Sequence, residues 1–272
     1  MILAIDATNW IHAIWHAQNG VGVLDTVRNR ITALAARVQA SVVLACFDRP
    51  SFRHGLYPAY KANRPPKPES LNDVLKDAEE ALFSSADLTW QTGFEADDCL
   101  ATAARIGRQR GERVILASGD KDVRQCLVEG QVTQLRGFKT ERGRVCQEIW
   151  YTAATLKKDT SLVPAQWPSY QALCGDTGDN LPGCKGFGEK TTLACLAKCA
   201  NLGEGLARQW ELPLSPRLRQ NLAAFARQAE TMLALVTLRT DVPNVAAVLG
   251  AAEYSDIPRG ERLTCVVNEG TS

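Results

Sequence analysis

The amino-acid sequence predicts an α/β fold, in which a Rossmann-like core with a mostly parallel sheet is followed by an all-helical module. Through the first half of the chain, short apolar runs typical of buried strands alternate with amphipathic helical patterns. From Pro164 onward the pattern is almost wholly helical, with glycine and proline breaks. The 272 residues, 45% of them hydrophobic, suffice for one large domain or two small ones.

The core is predicted from four apolar runs that read as buried strands. Strands that alternate with helices form a parallel sheet covered by helices on both faces. We therefore assign residues 1–163 to the α/β core. The predicted strands are ILAID, VVLACFD, LTWQTG and RVILASGD, and the helices between them include LDTVRNRITALAARVQA and EADDCLATAARIGRQRG.

One basic, proline-rich stretch, FRHGLYPAYKANRPPKPES, interrupts this alternation. It is too long for a tight turn and too polar for a core, so we expect a mobile surface loop that leads into the helix LNDVLKDAEEALF. Basic residues interleaved with an aromatic ring suit a loop that grips a nucleic-acid strand, and a merely solvated loop is the alternative. The candidate contact residues are Arg53, Tyr60, Lys61, Arg64 and Lys67.

Composition limits the location and the chemistry. No apolar run approaches the roughly 20 residues of a membrane span, and the N-terminus lacks signal-peptide features, so we expect a cytoplasmic protein without a membrane partner. The nine cysteines are mostly widely spaced and do not predict a disulfide framework. A net charge of +1 argues neither for nor against nucleic acid.

Acidic residues follow each of the four predicted strands. Because the carboxyl ends of parallel strands lie along one edge of a sheet, these side chains should meet there. A single acid after a strand is usually a helix cap, but so many carboxylates on one edge would repel one another by several kcal/mol unless cations neutralise them. The residues are Asp6, Asp48, Glu95, Asp97, Asp98, Asp120 and Asp122.

The expected cations are Mg²⁺ or Mn²⁺, because oxygen-only ligands without histidine or cysteine select hard divalent ions. Two such ions, about 3.5 to 4 Å apart, are the usual device for in-line cleavage of a phosphodiester bond. The acidic edge therefore predicts a two-metal phosphodiesterase centre.

A glycine-rich stretch, CGDTGDNLPGCKGFGEKT, begins at Cys174 and supplies Asp176 and Asp179 as further metal ligands. It is not a nucleotide-binding P-loop, because Glu189 separates the last glycine from the lysine. Helix, glycine turn and helix are typical of a helix-hairpin-helix that binds phosphate through backbone N–H groups, although a simple helix C-cap is the alternative. The expected DNA-binding residues are Gly183, Lys185, Gly186, Gly188, Lys190 and Thr191.

Several of these motifs, taken in order, resemble the 5′-nuclease domain of bacterial DNA polymerase I and the related phage and flap endonucleases. The motifs are FD…YKANRPPKPE, EADD, SGDKD and GDTGDNLPGCKGFGEKT, and the likeness runs from Asp6 to TLRTDVP. It implies a 5′-3′ exonuclease and structure-specific flap endonuclease that acts on flapped, nicked or branched DNA. We expect a monomer and, because no polymerase follows residue 272, a free-standing nuclease.

The resemblance also implies roles for individual residues. All nine carboxylates named above would bind metal, and the core and the helical module, residues 164–272, would be of the PIN-like and H3TH types. A helical arch would span about residues 53–85, with Lys61 on the scissile phosphate and Arg64 nearby. Backbone carbonyls between Leu181 and Gly188 would hold K⁺ at the helix-hairpin-helix turn.

One departure from the family pattern is Ala13, where an arginine is usual seven residues after the first aspartate. Loss of that charge-assisted contact costs about 1.5 to 3 kcal/mol, unless Arg53 or His12 substitutes for it in catalysis. Two other hypotheses stay open: a catalytically weak, structure-specific DNA-binding protein, and a ribonuclease of the same architecture.

Overall fold

A six-stranded sheet forms the centre of the first half of the protein. The computed structural model describes the backbone of residues 1–141 and 144–250, and the side chains of all of these except 140–141 and 144–146. Along the sheet the strand order is β3-β2-β1-β4-β5-β6, and every neighbouring pair is parallel except the antiparallel β5 and β6. The strands are β1 (Ile2–Asp6), β2 (Val42–Cys46), β3 (Asp87–Thr89), β4 (Val114–Ala117), β5 (Val132–Glu141) and β6 (Arg144–Tyr151).

Helices cover both faces of the sheet and build the second module. Those of the first half are α1 (Ala7–Gln18), α2 (Val23–Val38), α3 (Arg53–Leu56), α4 (Glu69–Leu82) and α5 (Ala96–Gln109). Those of the second half are α6 (Ala153–Thr160), α7 (Trp167–Cys174), α8 (Glu189–Leu196), α9 (Leu202–Ala207), α10 (Pro216–Val236) and α11 (Pro243–Val248). The predicted mostly parallel α/β core with a helical second module is confirmed.

The central strand β1 shows why the apolar runs are continuous. All five of its residues are buried, because β2 and β4 flank it and helices cover both of its faces. Its side chains alternate between the two faces, so that Leu3 and Ile5 pack with α1 and α2 while Ile2 and Ala4 pack with α5.

The hairpin formed by β5 and β6 was not predicted as strands. In VTQLRGFK, polar residues are interspersed among the apolar ones without a regular alternation, although β5 lies inside the sheet between β4 and β6. The run lacks the continuous apolar character on which the other strands were recognised.

The segment of about residues 53–85, for which a helical arch stays a prediction, contains α3 and α4, and α4 packs on the core. Its residues Leu71, Ala78 and Leu82 are spaced to share one face, and all three are buried in the same apolar cluster as α1 and α2. Residues 57–68, between α3 and α4, form turns and irregular backbone. This segment is tied to the second module, because the Lys61 amide donates to the Asp179 carbonyl at 2.9 Å.

The helical module has its own apolar core around Trp167, Phe187 and Phe225. After α10 the chain returns to the sheet layer, where Leu238 and Val242 pack against α5. The division at residue 163 stays a prediction, and residues 251–272 of the predicted module lie outside the described part. None of the described helices is long and apolar enough to cross a membrane.

Candidate metal centre and the cleft beside it

The carboxyl edge of the sheet is held together by hydrogen bonds that its carboxylates accept. Asp6 ends β1 and caps α1, so that one of its oxygens accepts from the Asn9 amide at 2.8 Å and the other from the Ser118 hydroxyl at 3.0 Å. Asp48, just after β2, accepts from the Ala96 amide at 2.9 Å. These bonds fix the ends of β1, β2 and β4 and the start of α5 side by side.

Three aspartates converge most closely at this edge. One carboxylate oxygen from each of Asp97, Asp120 and Asp122 lies within 4.8 Å of the other two. Asp120 also accepts from the Asp122 amide at 2.9 Å, and Gln171 of α7 donates to Asp122. One oxygen of Asp97 is buried and has no hydrogen-bond partner. We call Asp6, Asp48 and these three residues the acidic cluster.

The acidic cluster is electrostatically strained when it is fully charged. Burial raises the pKa of Asp97 and Asp122 well above the usual value, and the neighbouring carboxylates, Asp120 first, raise both further. Burial and the Asp48 charge raise the pKa of Asp6 to about 8. Each of these carboxylates is therefore disfavoured in its charged form unless a cation is close.

The donor set fits divalent metal ions. The converging atoms are carboxylate oxygens, which Mg²⁺ and Mn²⁺ prefer, and the buried oxygen of Asp97 has no protein partner to displace. A bound cation would relieve the repulsion that raises the pKa values.

The outer carboxylates, in contrast, carry basic partners. Lys61 places its Nζ 2.6 Å from Glu95, Arg64 pairs with Asp179, and Lys121 places its Nζ 2.7 Å from Asp176. Although burial lowers the pKa of Lys61, the carboxylates of Glu95 and Asp179 outweigh that effect and raise it. These ion pairs hold three cationic side chains at the rim of the acidic cluster.

Asp98 is placed differently from its neighbour Asp97, and its expected role is corrected. Its carboxylate is fully buried and accepts four hydrogen bonds: two from the Arg53 guanidinium, at 2.7 and 2.8 Å, and one each from the amides of Glu95 and Arg239. All of its oxygen lone pairs are used by protein groups. Asp98 is therefore an internal counter-ion and not a metal ligand.

Arg53 and Tyr60 also leave the list of substrate contacts. The Arg53 side chain is 1% exposed and binds Asp98 and the Leu235 carbonyl, so it cannot reach a phosphate or replace the arginine absent at Ala13. Tyr60 is 3% exposed, and its hydroxyl lies 3.0 Å from Glu95 and 3.3 Å from Asp179. Both side chains position the acids and are too buried to contact a DNA strand.

The turn between α7 and α8 combines a buried support with an exposed tip. Gly183 is buried with a φ of 64°, and a Cβ there would lie 2.5 Å from the Gly175 amide, so its expected DNA contact is corrected to a packing role. At the tip, Lys185, Gly186 and Gly188 are exposed, as is Lys190 in the first turn of α8. Thr191 is half-buried, and Lys67, in the loop before α4, is exposed.

Sequence reasoning missed Ser118, Gln171 and Lys121. Ser118 and Gln171 orient acids of the cluster, and Lys121 pairs with Asp176. Lys121 and Ser118 stand in the SGDKD motif itself, where their position beside the acids was a usable signal. Gln171 stands in a helix far along the chain, and nothing in its local sequence indicates a contact with Asp122.

A mostly parallel sheet with an acid-lined carboxyl edge defines an α/β protein whose clustered carboxylates fit divalent cations. Family models give it a more particular place: "5'-3' exonuclease, N-terminal resolvase-like domain" matches residues 1–159, and "5'-3' exonuclease, C-terminal SAM fold" matches residues 162–256. The chain therefore belongs to the 5′-3′ exonuclease family.

Curated relatives include the thermostable DNA polymerase I of Thermus aquaticus, which is 32% identical over 89% of this chain and 29% of its own length. DNA polymerase I of Mycobacterium tuberculosis is 36% identical over 74% of this chain and 22% of its own length. The chain thus spans less than a third of either relative.

Solved structures are similar over nearly the whole chain. The T5 5′-exonuclease with bound divalent metal ions is 25% identical, with a TM-score of 0.73 over 94% of this chain and 95% of its own. The catalytic core of Rad2, in complex with a DNA substrate, is 18% identical with a TM-score of 0.51 over 98% of this chain and 92% of its own, and it shares the fold.

Proposed function

We propose that this protein is a divalent-metal-dependent 5′-3′ exonuclease and flap endonuclease that hydrolyses DNA near junctions of single strand and duplex. The observation that carries the proposal is the convergence of Asp97, Asp120 and Asp122, whose oxygens lie within 4.8 Å of one another and form no ion pair with a basic side chain of the described residues. Charges held this close need cations, and cations held this way suit phosphodiester hydrolysis.

The acidic cluster would hold Mg²⁺ or Mn²⁺, with Glu95, Asp176 and Asp179 as outer ligands. When bound, two such ions supply an activated water and stabilise the leaving oxygen. The protein holds the ligands rigidly, because Ser118, Gln171 and backbone amides orient them before any ion arrives.

Lys61 and Arg64 would bind the phosphate that is cut. In the structure both side chains are paired with outer carboxylates, Glu95 and Asp179. The two side chains therefore lie at the edge of the acidic cluster, where phosphate oxygens would accept the same charge-assisted hydrogen bonds. The backbone holds Lys61 in place, since its φ is 57° and its amide is bonded to Asp179.

The turn between α7 and α8 would grip the duplex. Gly188 precedes helix α8 as its N-cap residue and supplies no side-chain cap, so the first backbone N–H groups of the helix are open to a phosphate. Lys185 and Lys190 flank these groups. Lys67 would add a contact to the single strand. K⁺ at this turn, a monomeric state, a cytoplasmic location and a domain division at residue 163 belong to the same proposal.

The decisive experiment is cleavage of a 5′-labelled flap duplex, with Mg²⁺ and with chelator, followed by mapping of the product ends. We expect Mg²⁺-dependent cuts near the junction. Tight binding without cleavage would favour the second candidate, a DNA-binding protein with weak catalysis, which the small side chain of Ala13 in the cleft favours. Faster cleavage of an RNA flap would favour a ribonuclease.

A further inference from the structure

A cleft of about 760 Å³ opens beside the acidic cluster and contains groups that the proposed cleavage does not use. Helix α1 forms one wall with Trp10, Ala13 and Ile14, and β5 forms the other with Arg136 and Phe138. Asp120 and Asp122 line the same cleft. Its volume is within the usual range of about 300 to 1,000 Å³ for small-molecule sites.

Three arginines lining this cleft have no acidic partner. Among the residues with described side chains, no carboxylate lies within ion-pair distance of Arg30, Arg124 or Arg136, whereas Arg64 and Lys121 at the cleft rim are both paired. We call these three residues the arginine cluster. Arginine side chains that line one cleft outside ion-pair distance of a carboxylate keep hydrogen-bond donors available for an anion.

Arg124 is the most firmly held member. Its guanidinium carbon lies 4.5 Å from the ring centre of Tyr151 and 4.9 Å from that of Trp167, and its Nε is buried without a hydrogen-bond partner. An anion bound by this guanidinium would cost little entropy, because the side chain is already held between two rings.

Aromatic and apolar side chains line the cleft. Phe138 meets Trp10 edge to face at 5.4 Å, and the Arg30 guanidinium carbon lies 5.2 Å from the centre of the Phe138 ring. Ala13 and Ile14 continue the apolar surface. Aromatic rings and guanidinium groups of this kind accept a nucleobase without reading its sequence.

From this combination we infer that the cleft binds one nucleotide of the strand next to the cleaved bond. The arginine cluster would hold the phosphate of that nucleotide, and the Phe138 wall would hold its base. The inference rests on the proposed nuclease function, because that function makes a deoxynucleotide the ligand. It adds a subsite that binds a phosphate and its attached base together, whereas the metal centre alone would bind only the phosphate.

The test is calorimetric titration of the full chain, in Mg²⁺, with deoxyadenosine 5′-monophosphate, deoxyadenosine and inorganic phosphate. We expect the nucleotide to bind more tightly than either fragment. Arg30→Gln and Arg136→Gln should each weaken nucleotide binding by about tenfold or more, since each removes a charge-assisted hydrogen bond. Arg136→Gln should leave deoxyadenosine binding unchanged, because Arg136 does not lie over the Phe138 ring. Ala13→Leu, which narrows the cleft, should weaken both.

The matched control is Arg28→Gln. Arg28 stands on the same helix as Arg30 but pairs with Asp25 on the exposed face, so nucleotide binding should stay at the parental value. Circular dichroism on each variant confirms folding; Arg136 is exposed, which makes its substitution the safer of the two.

Unchanged nucleotide binding in both arginine variants would overturn the subsite, as would equal binding of phosphate and nucleotide by the parent. Flap cleavage by the parent, measured in parallel, separates the two proposals. Absent cleavage with arginine-dependent nucleotide binding refutes the nuclease alone, and normal cleavage with arginine-independent binding refutes the subsite alone.

Discussion

Asp97 and Asp98 are neighbours in the chain but lie in opposite electrostatic environments. Asp98 is fully buried against Arg53 and has four hydrogen-bond donors, whereas Asp97 faces other carboxylates and keeps a buried oxygen without a donor. Arg53 is the internal cation of Asp98, and no described basic side chain plays that part for Asp97. A buried acid without an internal partner therefore marks a place where the charge comes from outside.

Breaking the internal pair should have the largest effect. Arg53→Ala leaves the buried Asp98 charge without its partner, so we expect a loss of about 3 to 5 kcal/mol in the free energy of unfolding, measured by urea denaturation. The combined variant Arg53→Met with Asp98→Leu should recover much of that loss, because no charge stays buried.

The control for this prediction is Arg28→Ala, which breaks an exposed pair with Asp25 and should cost less than about 1 kcal/mol. A similar small loss for Arg53→Ala would show that the pair is not isolated from solvent.

Changing Asp97, the charged residue without an internal partner, should affect catalysis and leave folding intact. Asp97→Asn keeps the shape but removes one charge from the metal centre, and we expect flap cleavage to slow by about 10²- to 10³-fold, because a bound ion contributes several kcal/mol. Thermal unfolding without metal should occur at the parental temperature or higher, since repulsion is reduced. Parental cleavage would remove Asp97 from the centre.

Lys61 lies between the two environments, since its ammonium is paired with Glu95 at the rim. Lys61→Ala should slow single-turnover flap cleavage by about tenfold or more, because a charge-assisted contact to the phosphate is lost. Lys76→Ala is the control, since Lys76 pairs with Asp73 on the exposed side of α4. This variant should cleave the flap at the parental rate. A rate within about twofold of the parent would exclude Lys61 from the reaction.

The raised pKa values predict a pH dependence that sharpens the contrast further. Because the pKa of Asp6 rises from 3.8 to about 8 on folding, the folded protein binds more protons than the unfolded chain between these values. Its metal-free stability should therefore fall as the pH rises through that window, by about 1.4 kcal/mol for each unit of pKa shift that is realised.

Differential scanning calorimetry at pH 6 and pH 8, with chelator and with Mg²⁺, checks this prediction. Mg²⁺ should raise the unfolding temperature more at pH 8, where protons compete less for the carboxylates. A metal-free protein that is more stable at pH 8 would contradict the strained cluster.

Much of the fold was readable from the sequence because the signals are local. The continuous apolar runs of β1, β2 and β4 report burial on both faces, and the acids that follow them report the edge where they meet. The β5–β6 hairpin lacked that signal because polar residues interrupt its apolar positions. The helix α4 was predicted, and its docking was present in the spacing of Leu71, Ala78 and Leu82, but the family resemblance placed this helix in an arch.

The site was less readable, because its geometry depends on partners far along the chain. In EADD, Asp98 stands at the third helical position, where a capping box turns its side chain back to the Glu95 amide, whereas Asp97 lies about 100° away around the helix. The pairing of Asp98 with Arg53, which stands 45 residues earlier in the chain, had no local signal. Tyr60 and Arg53 looked like strand-binding residues for the same reason: their composition is that of a surface loop, and their burial is set by tertiary contacts.

The return of the chain after α10 ties the metal centre to the end of the described protein. Arg53 bonds to the Leu235 carbonyl, Asp98 accepts from the Arg239 amide, and Val242 bonds to Thr102 of α5. This segment therefore packs against the helix that presents Asp97. We expect truncation before Leu238 to expose an apolar face of α5 and to displace Asp97.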